Sequence, residues 1–356
     1  MSHETRQWIS YDALSEVAAT DASVHDRDGS FPSAAFSGLR RLGLVGNPPL
    51  KCEDATLLFH VLAAIGRGDL SVGRIFEGHV NALLLIQIFG TPDQRVRFQT
   101  LAAGGALLGI WNTDAPVSPV SFDNGQLLGK KAFASGVDGL SFAVITAATP
   151  SGPQMVLVKV TDLPVDRTWW RPLGMRASGS HVVDFDGVCV PSENLLGPPG
   201  AYLQDPWFAA GAIRFAAVHV GGMHAVLDAT IAHLRKCGRA RDPHQQQRLG
   251  CMGSEVATGH AWLDSAGACW SGIERQSARS TVATMSAARA AIERAALAVL
   301  EMAERSVGAA GMIAPHPLER LMRDLRTYLR QPNPDKALCE IATALTDGAW
   351  RPDMSP

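Results

Sequence analysis

The sequence predicts an α+β protein in which a β-rich middle segment lies between two helical ends. The middle segment runs from Leu107 to Pro191. In it Phe142, Val144 and Thr146 recur at every second position, and clusters of Gly, Pro and Asp separate such runs, which is the period-two pattern of short antiparallel strands. On both sides of this segment, apolar residues recur at the spacing of α-helices.

Length and composition limit the class of protein. The chain has 356 residues, which is long for one core and predicts two or three packed domains. With 46% hydrophobic and 19% charged residues it has the composition of a soluble globular protein. The net charge of −2 gives no basic surface for nucleic acid, so a nucleic-acid-binding function is disfavoured.

The cysteines and the N-terminus bear on the cellular compartment. The six cysteines show no C-x-x-C spacing, so neither a zinc site nor a disulfide framework is predicted, and we expect most of them to be small buried residues. The first residues lack the apolar stretch of a signal peptide, and no apolar run approaches the length of a membrane span. We therefore expect a cytoplasmic protein that does not enter a membrane.

The N-terminal end, up to about residue 104, is predicted to be helical. Helices are expected over Trp8–Ala22, Ala34–Leu42 and Ala55–Ile65, with Gly and Pro breaking the pattern between the first two. A further helix starts after Asp69, and Gly90-Thr91-Pro92 ends it and begins another. His79 lies inside this helix, and we interpret it as a structural histidine.

Three passages of the middle segment carry a resemblance to a known family. They are IWNTDAPVS (110–118), GKKAFASG (129–136) and LGMRASGSHVVDFDGVCVP (173–191). They stand in the order of the Thr-Glu-Pro-Gly turn, the Gly-x-Lys-x-Trp-Ile-Thr motif and the Leu-Gly-x-Arg-x-Ser…Val-Pro motif of the acyl-CoA dehydrogenase superfamily of flavoproteins. Near the C-terminus, AERSVGAAGMIAPHPLERLMRDLRT (303–327) resembles that family's Gly-Gly-x-Gly and Arg-Asp passage.

The resemblance implies a domain organisation and an assembly. It implies an N-terminal α-helical domain (1–104), a middle antiparallel β-barrel or sandwich domain (105–199) and a C-terminal four-helix bundle (200–356). It also implies a homodimer or homotetramer in which one subunit completes its neighbour's cofactor site.

The implied cofactor is FAD. An isoalloxazine needs hydrogen-bond partners along its pyrimidine edge and an aromatic or apolar wall. By resemblance, Trp111, Asn112 and Thr113 lie along that edge, Phe133 stacks on the ring, and the hydroxyl of Ser135 lies near N5. The candidates for contacts further along the cofactor are Arg239, Arg241, Gln246, Gly308 and Gly311. Without the resemblance, Phe133 and Ser135 are a strand core residue and a turn residue.

The expected general base is missing. An acyl-CoA dehydrogenase removes the α-proton of a thioester with a carboxylate. The two positions where the family places this Glu hold Pro332 and Ile213. Asp335 and Glu340 follow soon after Pro332, but the Pro-Asn-Pro segment redirects the backbone there, and neither is assigned as the base. The catalytic residue is therefore left unassigned.

Three functions remain open at this stage. The first is an FAD-dependent oxidoreductase acting on a small-molecule substrate, such as an acyl-CoA or acyl carrier protein thioester, and passing electrons to an acceptor. The second is a flavin-dependent monooxygenase of the same fold that receives reduced flavin from a reductase and uses O₂. The third is a non-catalytic structural or binding subunit. The candidate substrate contacts are Arg214, Thr327, Tyr328 and Gln331.

Overall fold

The computed structural model describes residues 10–331 and 334–352. The α-helices in this part of the chain are α1 (Tyr11–Ala18), α2 (Ala22–Asp28), α3 (Ser33–Arg41), α4 (Ala55–Gly68), α5 (Leu70–Phe89), α6 (Pro92–Ala103), α7 (Trp207–Lys236), α8 (Pro243–Ser271), α9 (Ala278–Val307), α10 (Pro317–Tyr328) and α11 (Pro334–Thr346). The strands are β1 (Leu108–Trp111), β2 (Ser121–Asp123), β3 (Gln126–Leu128), β4 (Lys130–Ala134), β5 (Phe142–Ala147), β6 (Gln154–Lys159), β7 (Val165–Asp166), β8 (His181–Asp184), β9 (Val188–Cys189) and β10 (Leu195–Leu196).

The order of these elements confirms the predicted fold class, with helical ends around a β-rich middle. The division into domains at residues 104 and 199 stays a prediction.

The N-terminal helices begin and end at polar and glycine residues. The carboxylate of Asp69 caps α5 by accepting from the amide of Val72 at 2.9 Å. Thr91 and Gln94 form a capping box at the start of α6, and Pro92 occupies its first turn. The helix predicted over Trp8–Ala22 is instead two helices, α1 and α2, and residues 8 and 9 lie outside the described part of the chain.

The strands form three small sheets, and one pairing differs from the antiparallel expectation. The largest sheet has the order β1-β5-β6-β10, and β1 pairs with β5 in parallel, Gly109 opposite Ala143. The other pairs in this sheet are antiparallel. Parallel pairing is possible because the chain makes a long excursion through β2, β3 and β4 before it returns as β5.

The C-terminal helices α7 to α10 pack against one another, and α7 also lies close against α4. At Gly221 in α7, an added Cβ would overlap the carbonyl oxygen of Ala63 in α4. The crossing of these two helices therefore depends on the absence of a side chain at that position.

Two expectations about the whole chain need correction. By length and composition alone, α5 and residues 212–236 of α7 could cross a membrane, contrary to the expectation from the sequence. Both are mostly buried within the protein, at 78% and 67% of their most apolar windows, as core helices are. The cysteines were expected to be buried, yet Cys269 alone is buried among the six, because the others lie on helix surfaces and in short edge segments.

Candidate active site

A cavity of about 500 Å³ lies where the β-rich middle meets the helical parts of the chain. Its size is within the range of small-molecule and cofactor pockets. The lining residues come from α5, β1 and β4 on one side and from α7, α9, α11 and the residues after α10 on the other. The large apolar and aromatic residues of the wall are Leu85, Ile110, Trp111, Phe133, Tyr202, Trp207, Phe208 and Phe215. The charged part consists of Arg74, Arg214, Arg289, Arg330, Lys336 and Glu340.

The end of β1 brings three predicted flavin contacts to this cavity. Trp111, Asn112 and Thr113 all line it. The buried indole of Trp111 donates through Nε1 to the carbonyl of Ser135 at 3.2 Å. The side-chain oxygen of Asn112 accepts from Thr146 Oγ1 at 2.6 Å, which fixes the amide. The arrangement offers polar groups beside a flat apolar wall, as an isoalloxazine requires.

Phe133 reaches the cavity from an irregular part of β4. The register with β8 shifts between Lys131 and Ala134, and Phe133 has a φ of 54°, which non-glycine residues seldom adopt. Its ring packs edge-on against Trp169 with a centroid separation of 4.9 Å. The bulge therefore turns the Phe133 ring towards the cavity. Regular pleating would place this ring elsewhere.

Ser135 lies behind this wall, in a chain of three buried hydroxyl groups. Its Oγ lies 2.8 Å from Ser180 Oγ, which in turn lies 2.8 Å from Ser178 Oγ. Ser135 is not among the residues that line the cavity, although its carbonyl receives the Trp111 hydrogen bond. Its proposed contact with flavin N5 stays a prediction.

A buried lysine supports the same strand ends. Nζ of Lys131 lies 2.6 Å from Asp114 Oδ1 and 3.1 Å from the carbonyl of Asn112. The side chain is 1% exposed, and burial lowers the pKa of this ammonium group. Lys131 is the Lys of the Gly-x-Lys motif, so the signal for this residue was present in the sequence.

Helix α5 contributes a buried polar cluster that the sequence analysis missed. Glu77 is completely buried, and its Oε2 pairs with Arg74 Nη1 at 2.8 Å. The amide of Asn81 donates to the other oxygen of Glu77 and accepts from Nε of Arg214 in α7. Burial raises the pKa of the Glu77 carboxyl group. The signal was the spacing of three polar residues at 74, 77 and 81, on one face of an otherwise apolar helix.

Among the described residues that line the cavity, Glu340 in α11 supplies the one carboxylate. Its Oε2 accepts from Ser286 Oγ at 2.6 Å, and its Oε1 lies 3.5 Å from Lys336 Nζ. Sequence reasoning did not assign it as the base. Of the two positions expected to hold the base, Ile213 is fully buried and is not among the cavity residues, and Pro332 lies outside the described residues.

Of the predicted substrate contacts, Arg214 and Gln331 line the cavity and the other two do not. Thr327 Oγ1 accepts from the amide of Gly174 at 3.1 Å, which joins α10 to the segment before β8. Tyr328 is buried against His219, with ring centroids 4.5 Å apart.

The remaining predicted cofactor contacts lie away from this cavity in the single chain. Arg239, Arg241 and Gln246 are exposed, around the start of α8. Gly308 has a φ of 71° at the end of α9, and Gly311 is buried against Val307 and Leu318. Their roles towards the cofactor stay predictions.

Two further polar side chains, of His79 and Asp324, hold elements of the fold together. His79 donates from Nε2 to the carbonyl of Val45 at 2.8 Å and accepts at Nδ1 from the amide of Leu108, so it ties α5 to β1. The carboxylate of Asp324 accepts from the amide of Met175 at 2.6 Å, which holds α10 in place.

The chain resembles known proteins over most of its length. Residues 213–330 match the family described as acyl-CoA dehydrogenase, C-terminal domain. Butyryl-CoA dehydrogenase from Megasphaera elsdenii has the same fold, with a TM-score of 0.80 and 17% identity, covering 94% of this chain and 97% of that one. The C-terminal part of the chain therefore matches the acyl-CoA dehydrogenase family, and the fold of the whole chain is similar to that of its members.

The chain is similar to enzymes of more than one kind. A dibenzothiophene monooxygenase from Mycolicibacterium goodii is 24% identical over 77% of this chain and 76% of its own length. KijD3, solved with FMN and a dTDP-linked amino-keto sugar, is 25% identical with a TM-score of 0.79, covering 96% of this chain and 93% of that one. These similarities confirm the prediction of an acyl-CoA dehydrogenase-like flavin enzyme. They do not distinguish FAD from FMN.

Proposed function

We propose that this protein, which has the acyl-CoA dehydrogenase fold, is a flavin-dependent monooxygenase that receives reduced flavin from a separate reductase. The observation that carries the proposal is the make-up of the cavity wall. Its flavin side is aromatic and apolar, and among its described residues the one carboxylate, Glu340, is engaged by Ser286 and Lys336.

A dehydrogenase of this fold needs a carboxylate poised to take a proton from carbon. Ile213 supplies none and points into the core. The sequence places a proline, Pro332, at the other expected position. Oxygen transfer to a substrate does not require that carboxylate, so the absence at both positions weighs against thioester dehydrogenation.

The residues of the wall are also suited to binding reduced flavin and shielding it from water. When bound, a reduced flavin supplies the two electrons with which O₂ is activated. Trp111 and Phe133 would cover the ring, and Asn112 and Thr113 would hydrogen-bond its polar edge. The apolar residues of the opposite wall, such as Phe215, would exclude water from the reacting atoms.

The relatives support this choice. The dibenzothiophene monooxygenase is similar to three quarters of the chain. KijD3, at a similar level of identity, was solved with FMN.

The test is to bind flavin and follow its reoxidation. The purified protein is titrated anaerobically with reduced FMN and reduced FAD and then mixed with O₂ while absorbance at the oxidised-flavin band is recorded. We expect tight binding of the reduced form and reoxidation at least tenfold slower than that of free reduced flavin. Reoxidation at the rate of free flavin would contradict the proposal, and binding of neither flavin would favour a non-catalytic protein.

The position of Glu340 favours one alternative, a dehydrogenase with a displaced base. Such an enzyme would purify with oxidised flavin, and the flavin would bleach anaerobically with some member of an acyl-CoA panel. E340Q would abolish that bleaching, whereas E293Q, which changes a glutamate of α9 paired with Arg330, would not. No bleaching by any thioester would leave the monooxygenase.

Three finer points belong to the same proposal. We propose that FAD is preferred to FMN, because Gly308 and Gly311 are predicted to contact the adenine end of the cofactor. The titrations with reduced FMN and reduced FAD compare the two affinities. A homodimer or homotetramer is proposed because Arg239 and Gln246 lie away from the cavity of their own chain. The protein is proposed to act in the cytoplasm on a small molecule.

A further inference from the structure

We propose that Arg214, supported by Arg74, forms an oxyanion-binding site in the cavity wall, and that the substrate is an apolar or aromatic molecule carrying a carboxylate, sulfinate or sulfonate group. This inference rests on the proposed function, because that function is what makes the cavity a substrate chamber. It follows from the geometry of one side chain and the charge balance around it.

Arg214 is buried, with its fork directed at the cavity. The residue is 6% exposed and lines the cavity from the first turns of α7. Its Nε donates to Asn81, and across residues 10–331 and 334–352 the two terminal nitrogens have no hydrogen-bond acceptor. A Cβ at Gly211 would lie 3.0 Å from Nη2, so glycine at that position leaves space beside the fork.

The aromatic neighbours of the two arginines hold them without neutralising them. The guanidinium carbon of Arg214 lies 5.6 Å from the ring centroid of Trp270, and that of Arg74 lies 5.0 Å from the ring centroid of Phe215. Such contacts fix the planes of the guanidinium groups. Nε of Arg74 is buried without a hydrogen-bond partner.

The charges in this cluster do not balance. Arg74 and Arg214 carry two positive charges, and Glu77, which pairs with Arg74, supplies one negative charge. Burial lowers the pKa of Arg214 to about 10, so it still carries its proton at neutral pH. A buried charge without a counter-ion is costly, and an anionic group in the cavity would remove that cost.

The open fork and its surroundings define the ligand class. Two free terminal nitrogens in one plane match the two oxygens of a carboxylate or a sulfur oxyacid. The neighbouring wall, with Leu85, Trp207 and Phe215, is apolar and aromatic. The ligand therefore combines one oxyanion with an apolar body.

The oxyanion could belong to the substrate or to the flavin phosphate. We assign it to the substrate because Arg214 is buried beside the aromatic wall. Arg330 and Lys336, at the α10–α11 side of the cavity, are exposed enough to contact a phosphate as well as their carboxylate partners Glu293 and Glu340. The experiment separates the two sources.

The test measures anion binding by calorimetry, which needs no turnover. The protein is titrated with benzoate, methanesulfonate and the neutral benzamide, with and without oxidised FMN. We expect benzoate to bind at least tenfold more tightly than benzamide. R214Q should weaken benzoate binding by about 10- to 100-fold, the loss of a charge-assisted bidentate contact, and leave benzamide unchanged. R305Q, which removes an exposed arginine of α9 that pairs with Glu301 at 2.6 Å and does not line the cavity, should change benzoate binding by less than about threefold.

Several results would overturn the proposal. They are equal binding of benzoate and benzamide, no binding of either anion, or equal losses in R214Q and R305Q. If R214Q does not fold by circular dichroism, R214K serves in its place. Lysine keeps the charge but not the fork, so we expect a loss of benzoate affinity that is smaller than the loss predicted for R214Q. No loss of affinity at all would count against the fork. If R214Q weakens FMN but not riboflavin, and leaves benzoate unchanged, the anion is the flavin phosphate. A protein that prefers benzoate but binds no flavin would refute the monooxygenase and leave the anion site standing.

Discussion

At the scale of single residues, hydroxyl groups organise the β side of the cavity. Ser135, Ser178 and Ser180 form a buried chain in which Ser180 contacts both of the others. S135A removes the hydroxyl that is predicted to face flavin N5. We expect a flavin dissociation constant about 5- to 10-fold higher, the effect of one hydrogen bond, measured by fluorescence titration.

The control for this prediction is S178A, which removes the other neighbour of Ser180. If both variants weaken flavin binding equally, the effect acts through Ser180 and the local packing. Unchanged affinity and spectrum in S135A would remove Ser135 from the flavin site.

The family resemblance led to predictions about part of this site. By resemblance, the passages at 110–118 and 129–136 predicted that Trp111, Asn112, Thr113 and Phe133 contact flavin. All four residues line one cavity, and their contact with flavin stays a prediction. The sequence could not place Thr327 or Tyr328, because a difference of one residue on a helix turns a side chain by about 100°. It also could not pair Arg214 with Asn81, since 133 residues separate them and no local pattern records that contact.

At the scale of elements, the close crossing of α4 and α7 is the most restrictive feature. Gly221 packs against the backbone of Ala63, so G221A forces the two helices apart. We expect a loss of about 2–4 kcal/mol in the free energy of unfolding, measured by denaturant titration.

The matched control is G250A in α8. Gly250 is also helical, but it is exposed and an added Cβ would meet nothing within 4 Å. This variant should gain about 0.5–1 kcal/mol from helix propensity. Destabilisation of similar size in both variants would show that helix crossing is not the cause.

The elements themselves were largely predictable. Helical periodicity placed α3 and α4 within a few residues but did not separate α1 from α2. The capping residues Asp69 and Thr91 marked two helix starts. The parallel pairing of β1 with β5 was not predictable, because both strands have the same local pattern in either orientation. Tertiary packing decides that pairing.

At the scale of the whole molecule, buried histidines make stability depend on pH. Burial lowers the pKa of His219 to about 3, from an ordinary value of 6.5. The unfolded chain therefore takes up a proton below pH 6.5 that the folded chain does not, so this stability is present above pH 6.5 and is lost as pH falls towards 3. Lowering the pH from 7 to 5 should therefore reduce the free energy of unfolding of H219F by about 2 kcal/mol less than that of the unchanged protein.

The measurement is urea unfolding at the two pH values, with H244F as the control. His244 is exposed near the start of α8, so its replacement should leave the pH dependence as in the unchanged protein. A parallel reduction in both variants, or none in H219F, would contradict this account.

The rotation of α7 has a consequence for redesign. Ile213 faces the core and Arg214 faces the cavity, although they are neighbours in sequence. A glutamate installed at position 213 would therefore bury its charge among apolar side chains and reach no substrate. A designer seeking to introduce a carboxylate into this chamber would begin from Ala337, whose helix already presents it to the cavity one turn before Glu340.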